Sequence, residues 1–303
     1  MTSEDFLADQ FETHRAHLNA VAYRMLGSLA EAEDAVQESW LRLSRVDGSA
    51  IGNLGGWLTT VVGRVCLDML RSRRVRREEP WEVRMPDPVV GAEDASDPEQ
   101  QALLADAVGL ALQVVLESLG PAERLAFVLH DLFGLPFEQI APIVERTPDA
   151  ARKLASRART RVRGSAPSPD ADPARQRRVV DAFQAAARDG DFEALLTVLD
   201  PDVVLRADTG APGGLTTLIG SREVAGNALL YREAHRVPVV VSRVLVNGGA
   251  GLLSAVGGRP VSLMSFTVVD GRIAAIDILA DPDRLARLDL EAVTSGGRDS
   301  SER

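Results

Sequence analysis

The sequence predicts a multidomain protein, with two all-α domains in its first half and an α+β domain in its second. Three observations carry this. Apolar residues recur at helical spacing, between capping signals, through most of the chain up to Arg163. Two breaker-rich stretches, residues 79–100 and 165–173, divide the chain. After the second, two helical stretches give way to strand-like runs rich in Val, Ile and Leu.

Residues 6–26 place Phe11, Leu18, Val21, Ala22 and Met25 on one helical face, and Gly27 ends the run. Ser28 and Glu31 then have the spacing of a capping box. In the helix they open, Ala32, Ala35, Val36, Trp40 and Leu43 face a core, while Asp34, Gln37, Glu38 and Leu41 remain for another surface. A Gly- and Ser-rich loop covers residues 44–56. A third helix follows from Trp57 through Leu58, Val61, Val65 and Met69 into a run of arginines. Residues 79–100 form an acidic linker in which Pro80, Pro86, Pro88 and Pro98 resist regular structure. Residues 101–119 are helical again. Pro121 starts the next helix, which is expected to run unbroken to Gly134.

Residues 137–163 read as two helices joined by a tight turn. Pro142 is expected to bend the first of them. Thr147 caps the second, Pro148 suits its first position, and Asp149 favours the helix dipole. Ala151, Leu154, Ala155, Ala158 and Val162 share a narrow apolar face; Arg152, Lys153, Ser156, Arg157, Arg159 and Arg163 lie on the other side. Such a donor-rich helix fits a major groove, where Arg and Lys reach guanine edges and phosphates. The competing reading is a merely solvated basic face.

Past the second linker, helices are expected near residues 175–187 and 192–199, then a strand VVLRA, a Gly-rich loop, a helix over 221–236 and four closing strands. Asp270-Gly271 has the composition of a hairpin turn. The end of the chain, from about Thr294, is polar and expected to be disordered.

The 303 residues and 45% hydrophobic content allow real cores. Cys66 is the one cysteine, in an apolar helical stretch, so an internal disulfide and a cysteine-based zinc site are excluded and no metal is expected. The acidic start is not a signal peptide and no apolar run is long enough for a membrane, which implies a cytoplasmic protein. The net charge of −10 conceals segregation. Residues 64–77 hold six Arg against Asp68, and residues 145–163 hold six Arg and a Lys against two acids. Residues 78–106 carry nine acids against Arg84. The basic runs are local footprints for nucleic acid.

The stretch YRMLGSLAEAEDAVQESWLRL, the helix GWLTTVVGRVCLDMLRSRR and the helix pair at 137–163, in this order, resemble a bacterial extracytoplasmic-function RNA polymerase sigma factor. The remainder is similar to a SnoaL-like (cystatin-like) cone, and fusions of the two form a known sigma subgroup. The resemblance implies region 2 at 1–78, the linker at 79–100, region 4 at 101–164, a second linker at 165–173, the SnoaL-like domain at 174–290 and a tail at 291–303. It implies binding to core polymerase, at the beta-prime clamp and beta flap, through Asp34, Gln37, Glu38, Trp40 and Leu41. It assigns the minus-ten element to Asn53, Arg64, Arg71, Arg73 and Arg74, with Ser49 beside Asn53 in the loop. The minus-thirty-five element falls to Thr147, Arg152, Lys153, Ser156 and Arg157, with Arg159, Arg161 and Arg163 on phosphates.

The subgroup carries three further motifs. Their counterparts are Met85-Pro86-Asp87-Pro88, Asp208-Thr209-Gly210 with Gly213-Gly214, and Asp281-Pro282-Asp283-Arg284-Leu285. Thr209, Ala211 and Pro212 interrupt the glycines of the middle one. Pro86, Asp87, Pro88, Asp208, Gly210, Asp281, Asp283 and Arg284 are therefore expected to make regulatory contacts, with the cone docked on the linker and the first domain so that the two DNA-binding domains are held in a spacing unfit for the promoter. No cofactor and no catalytic residue is expected, and the cone pocket leaves room for an unidentified small ligand.

Two other readings compete. A ligand-responsive helix-turn-helix regulator would bind duplex DNA without polymerase, and would have no use for the helix around Trp40. A SnoaL-type cyclase or isomerase would draw on Asp208, Asp277 and His235, with Arg206 and Tyr231 close in sequence.

Overall fold

A computed structural model describes residues 3–46, 51–76, 85–92, 109–165, 169–212, 214–234, 238–288 and 290. Two units divide the chain: residues 1–81 with 115–165, and residues 82–114 with 166–303.

In the first unit, α1 (Ser3–Leu26), α2 (Leu29–Leu43) and α3 (Leu54–Arg76) pack on one another. Phe11, Leu18, Val21, Ala22, Met25, Ala32, Ala35, Val36, Leu43, Leu58, Val61 and Val65 are buried. Gly27, at φ 69°, ends α1. The capping box does not form. Ser28 stands at the N-cap of α2 without a side-chain hydrogen bond, and Glu31 turns instead to Arg73 on α3. The third helix begins at Leu54, ahead of Trp57, because Asn53 Oδ1 accepts the Gly56 N–H at 3.0 Å and caps it.

Helix α4 (Leu110–Glu117) covers the end of the expected 101–119 helix; residues 101–108 lie outside the described residues. The helix expected to run from Pro121 to Gly134 is α5 (Pro121–Phe127) followed by a π turn, Val128–Leu132. There Phe133 N–H reaches Val128 O and Leu135 N–H reaches Leu129 O. Helix α6 (Phe137–Ile140) is one turn long, so Pro142 does not bend it but lies exposed past its end, in a turn that Glu145 completes at φ 56°. Helix α7 (Pro148–Ser165) packs on α5 and α6 through the buried Ala151, Ala155 and Ala158.

The two helical groups of this unit also touch. Gly63 of α3 lies against Leu125 and Leu129. Arg124, fully buried on α5, pairs with Glu117 at 2.8 Å and donates from Nε to the Arg24 carbonyl at 3.0 Å.

Among the described residues, the second unit forms a seven-stranded sheet with three helices packed on one face. Its elements are β1 (Val90–Gly91), α8 (Pro173–Asp189), α9 (Phe192–Val198), β2 (Leu199–Asp208), β3 (Thr216–Ile219), α10 (Ser221–Ala234), β4 (Val240–Val246), β5 (Gly249–Val256), β6 (Arg259–Val269), β7 (Arg272–Leu279) and α11 (Pro282–Leu285). The strand order is β1-β4-β5-β6-β7-β2-β3, with β2 and β7 parallel and every other neighbour antiparallel. Three two-residue turns join β4 to β7: Asn247-Gly248, Gly257-Gly258 and Asp270-Gly271. All six residues have positive φ, the requirement of a type I′ hairpin.

Alternation along the strands makes two cores. Val203, Leu205, Leu252, Phe266 and Ile276 point to the face covered by α8, α9 and α10. Val244, Val246, Leu253, Leu263 and Leu279 point to the other face, which Met85, Val90, Leu110 and Leu285 cover. The linker, expected to lack regular structure, thus supplies both a sheet cover and the edge strand β1 paired with β4. Among the described linker residues, Val90 and Gly91 enter the sheet, while Pro86 and Pro88 have no N–H to give a ladder.

Candidate nucleic-acid and polymerase interfaces

Helix α7 is positioned by its cap and by an aromatic stack. Thr147 Oγ1 accepts the Ala150 N–H at 3.3 Å. His130, offered by the π turn, stacks on Phe137 with ring centroids 3.9 Å apart, and its Nδ1 lies 2.8 Å from the Leu135 carbonyl. The Arg152 guanidinium sits 5.3 Å from the Phe137 ring and 2.7 Å from Asp149 Oδ1, so it is held outward near the start of the helix. Lys153, Ser156 and Arg157 are exposed along the same side, as are Arg161 and Arg163. The base-edge candidates therefore share one accessible face. Arg157 and Arg161 also meet Glu123 of α5, and Arg159 pairs with Asp131 of the π turn.

On α3, Arg64 and Arg71 are exposed; Arg71 lies 4.0 Å from Asp68. Arg73 is turned inward, donating to Leu26 O at 3.2 Å and pairing with Glu31, so it ties α3 to the corner between α1 and α2. Asn53 is exposed at the head of the helix while its Oδ1 serves as the cap. Arg74 lies on α3 with its side chain outside the described set, and Ser49 lies outside the described residues.

On α2, Asp34 and Gln37 are exposed and Leu41 keeps 47% of its surface in solvent. Glu38 pairs with Arg42 one turn on, at 2.9 Å. Trp40 is half-buried and meets Phe11 at a centroid distance of 5.1 Å, which anchors the helix to α1. The outward surface is thus an acid, an amide and a leucine beside a packed tryptophan.

In the second unit the three short motifs meet. Asp208 Oδ2 accepts Arg284 Nη1 at 2.7 Å and the Met85 N–H at 3.2 Å, and its Oδ1 accepts the Gly210 N–H at 3.1 Å. The second Nη of Arg284 reaches Asp87 at 2.8 Å. Asp281 caps α11 by accepting the Asp283 and Arg284 N–H groups, and Asp283 itself is exposed. Gly210, at φ 74°, is needed here: a Cβ would lie 2.9 Å from the Asp281 carboxyl. Pro86 and Pro88 are buried beside it. Asn247, which the sequence reading did not single out, exchanges two hydrogen bonds with Val89. Its Asn-Gly turn was the available signal.

The carboxylates considered for chemistry are not arranged for it. Asp277 and Asp208 lie on the sheet face away from α8–α10. Asp277 is 1% exposed and accepts Arg206 Nε at 2.7 Å and Nη2 at 3.2 Å. Burial pushes its carboxyl above the ordinary value, against the pull of Arg206. Tyr231 is exposed on α10, and His235 lies outside the described residues. Cys66 is buried, which drives its thiol up to about 12. Among the described residues there is no cluster fit to hold a metal, and no helix long and apolar enough to cross a membrane.

Sequence reasoning missed Glu123, Asp131, Phe137 and Arg124. A Glu near a helix start reads as a dipole residue, and nothing local marks a partner 38 positions away.

Comparison with known proteins agrees with this geometry. Residues 10–76 match sigma-70 region 2 and residues 109–162 match sigma-70 region 4. The Mycobacterium tuberculosis ECF RNA polymerase sigma factor SigJ is 40% identical over 288 residues, covering 91% of this chain and 92% of that protein. The probable ECF sigma factor SigI of the same organism is 36% identical over 291 residues, covering 96% and 99%. The crystal structure of SigJ superposes with a TM-score of 0.69 at 35% identity, covering 92% of this chain and 98% of that one. The chain therefore belongs to the extracytoplasmic-function RNA polymerase sigma factors, with an α+β domain following region 4.

Proposed function

We propose that the chain, a sigma factor for promoter-specific initiation, works by three surfaces and is regulated by its own sheet domain. The α2 surface of Asp34, Gln37, Glu38 and Leu41, backed by Trp40, docks on the beta-prime clamp of core polymerase in the cytoplasm; an apolar anchor ringed by acids and amides suits a basic partner. Asn53, Arg64, Arg71 and Arg74 serve the minus-ten element, with Arg73 as the brace that sets the angle of α3. Arg152, Lys153, Ser156 and Arg157 read the minus-thirty-five element, and region 4 meets the beta flap.

The observation that carries the regulatory part is the packing of α3 on α5 in one unit. Twenty-five base pairs of straight B-DNA span about 85 Å. A unit of this size is roughly 36 Å across. The packed pair therefore does not reach both elements at once, and initiation requires the two helical groups to part. The linker joining them is pinned to the sheet by Asp87, Met85 and Val89. Releasing the linker is then the step that permits parting.

The test is run-off transcription with purified core polymerase on genomic fragments, comparing the full chain with the chain truncated after Gly164. A change in promoter-dependent product is expected. Equal transcription from both removes the regulatory role, and absence of core binding removes the sigma surfaces.

A further inference from the structure

An acid faces the cationic side of the DNA-reading helix. The Glu123 side chain, near the start of α5, is only 14% exposed. Its Oε2 takes Arg161 Nη1 at 2.8 Å and its Oε1 lies 3.7 Å from Arg157 Nε. The two arginines stand one helical turn apart and are 54% and 64% exposed. Asp131 engages Arg159 between them. The second half of α7 thus meets an acid from the preceding segment at three of its arginines, whereas Lys153 and Ser156 face outward in the first half.

Ion pairs with so exposed a partner add little to stability. Their effect on DNA binding is larger. An arginine facing a carboxylate must share or leave it to neutralise a phosphate, and the carboxylate itself repels the backbone. This opposes binding to any duplex, whatever its sequence. Against a matching element the opposition is offset twice. Base-edge contacts from Arg152 to Arg157 draw the helix into the groove, and Arg157 arrives with its guanidinium already oriented by Glu123.

We propose that Glu123 is a specificity-determining positioning residue of region 4. It holds Arg157 and Arg161 back from the phosphates of non-matching DNA and presents Arg157 to the matching base edge. This rests on the reading of α7 as the minus-thirty-five helix.

The experiment uses holoenzyme assembled from the full chain, and two duplexes that differ only in the minus-thirty-five element, intact or scrambled. Binding is titrated over a range of KCl. With E123Q, affinity for the scrambled duplex rises roughly three- to tenfold while that for the intact one changes less than about twofold, so discrimination falls. The log–log salt slope on scrambled DNA steepens by about 1–2, one to two more phosphates being neutralised. E123D, which keeps the charge, retains the wild-type ratio, and Arg161→Gln in the E123Q background returns the slope toward wild type. Equal tightening on both duplexes, weakening on both, or no change with E123Q each overturns the proposal. Failure of the wild-type holoenzyme to distinguish the duplexes overturns the reading of α7 itself.

Discussion

Arg284→Ala tests the junction at which the three short motifs meet. The Arg284 side chain is 10% exposed, and it bridges Asp208, 8% exposed, to the more open Asp87. Removing one partner of a buried pair typically costs about 3–5 kcal/mol, because the other charge stays buried. Here Asp208 keeps the Met85 and Gly210 N–H groups, so the cost falls to the bottom of that range or below it, about 2–3 kcal/mol. Asp87 is a third exposed and can turn to water, so Asp87→Ala costs under about 1 kcal/mol. The loss acts locally, on the docking of residues 85–91. The assay is hydrogen exchange at the Met85, Val89 and Gly91 amides in the full chain. With 1.4 kcal/mol per decade, Arg284→Ala raises their exchange about thirty- to hundredfold, and Asp87→Ala raises it less than about fivefold. Exchange unchanged at Met85 and Val89 in Arg284→Ala would show that the linker is held by its apolar contacts alone, and the reasoning from charge would be wrong.

Leu41→Glu, on an exposed site, leaves the melting temperature within a degree or two but weakens core polymerase binding at least tenfold by pull-down, while Trp40→Ala destabilises the first unit by about 3 kcal/mol through loss of its contact with Phe11. Cys66, buried with its thiol at about 12, resists a thiol reagent at pH 8 in the folded chain and reacts fully in denaturant; rapid labelling of the folded chain would contradict its burial. Asp277 holds its proton more firmly folded than unfolded. Its contribution is therefore full below the unfolded value and is lost as pH rises through the raised folded one. The stability difference between wild type and Asp277→Asn, followed by exchange at β6 and β7 amides, should shrink through that window and level off above it; a difference that grows with pH would mean that Arg206 outweighs burial.

Local signals carried well into the structure where the chemistry is local. Thr147, Pro148 and Asp149 open α7, Gly27 closes α1, and Asp270-Gly271 turns a hairpin, because each is decided by neighbours within four residues. The misses are of the opposite kind. Glu31 has the spacing of a capping box, but an arginine 42 positions away competes for it and wins. Nothing within the linker predicts β1, because Val90 becomes a strand only by pairing with Val246. The π turn at Val128–Leu132 hides in a run that is helical by every local measure, and it is what brings His130 to Phe137 and Asp131 to Arg159.

The second face of the sheet gives the proposed self-regulation a physical basis. Val244, Val246, Leu253, Leu263 and Leu279 line that face, and among the described residues after region 4 the single turn of α11 is the helix that lies over it. A sheet so apolar on both faces does not stay exposed in water. Met85 and Leu110 are buried on it and Val90 packs against it. At about 1.5–3 kcal/mol for each fully buried side chain, lifting the linker exposes on the order of 5 kcal/mol of apolar surface before the Arg284 contacts are counted. Spontaneous release is then rarer than about one molecule in a thousand. Whatever frees the linker must bind the released state better than the docked one by that margin. On the proposed function, polymerase bound with a promoter that spans both elements has such a preference, because the packed pair does not reach both at once. On this argument the sheet domain sets the affinity threshold at which the factor engages its enzyme, and a substitution that loosens the linker lowers the polymerase concentration needed for half-maximal transcription.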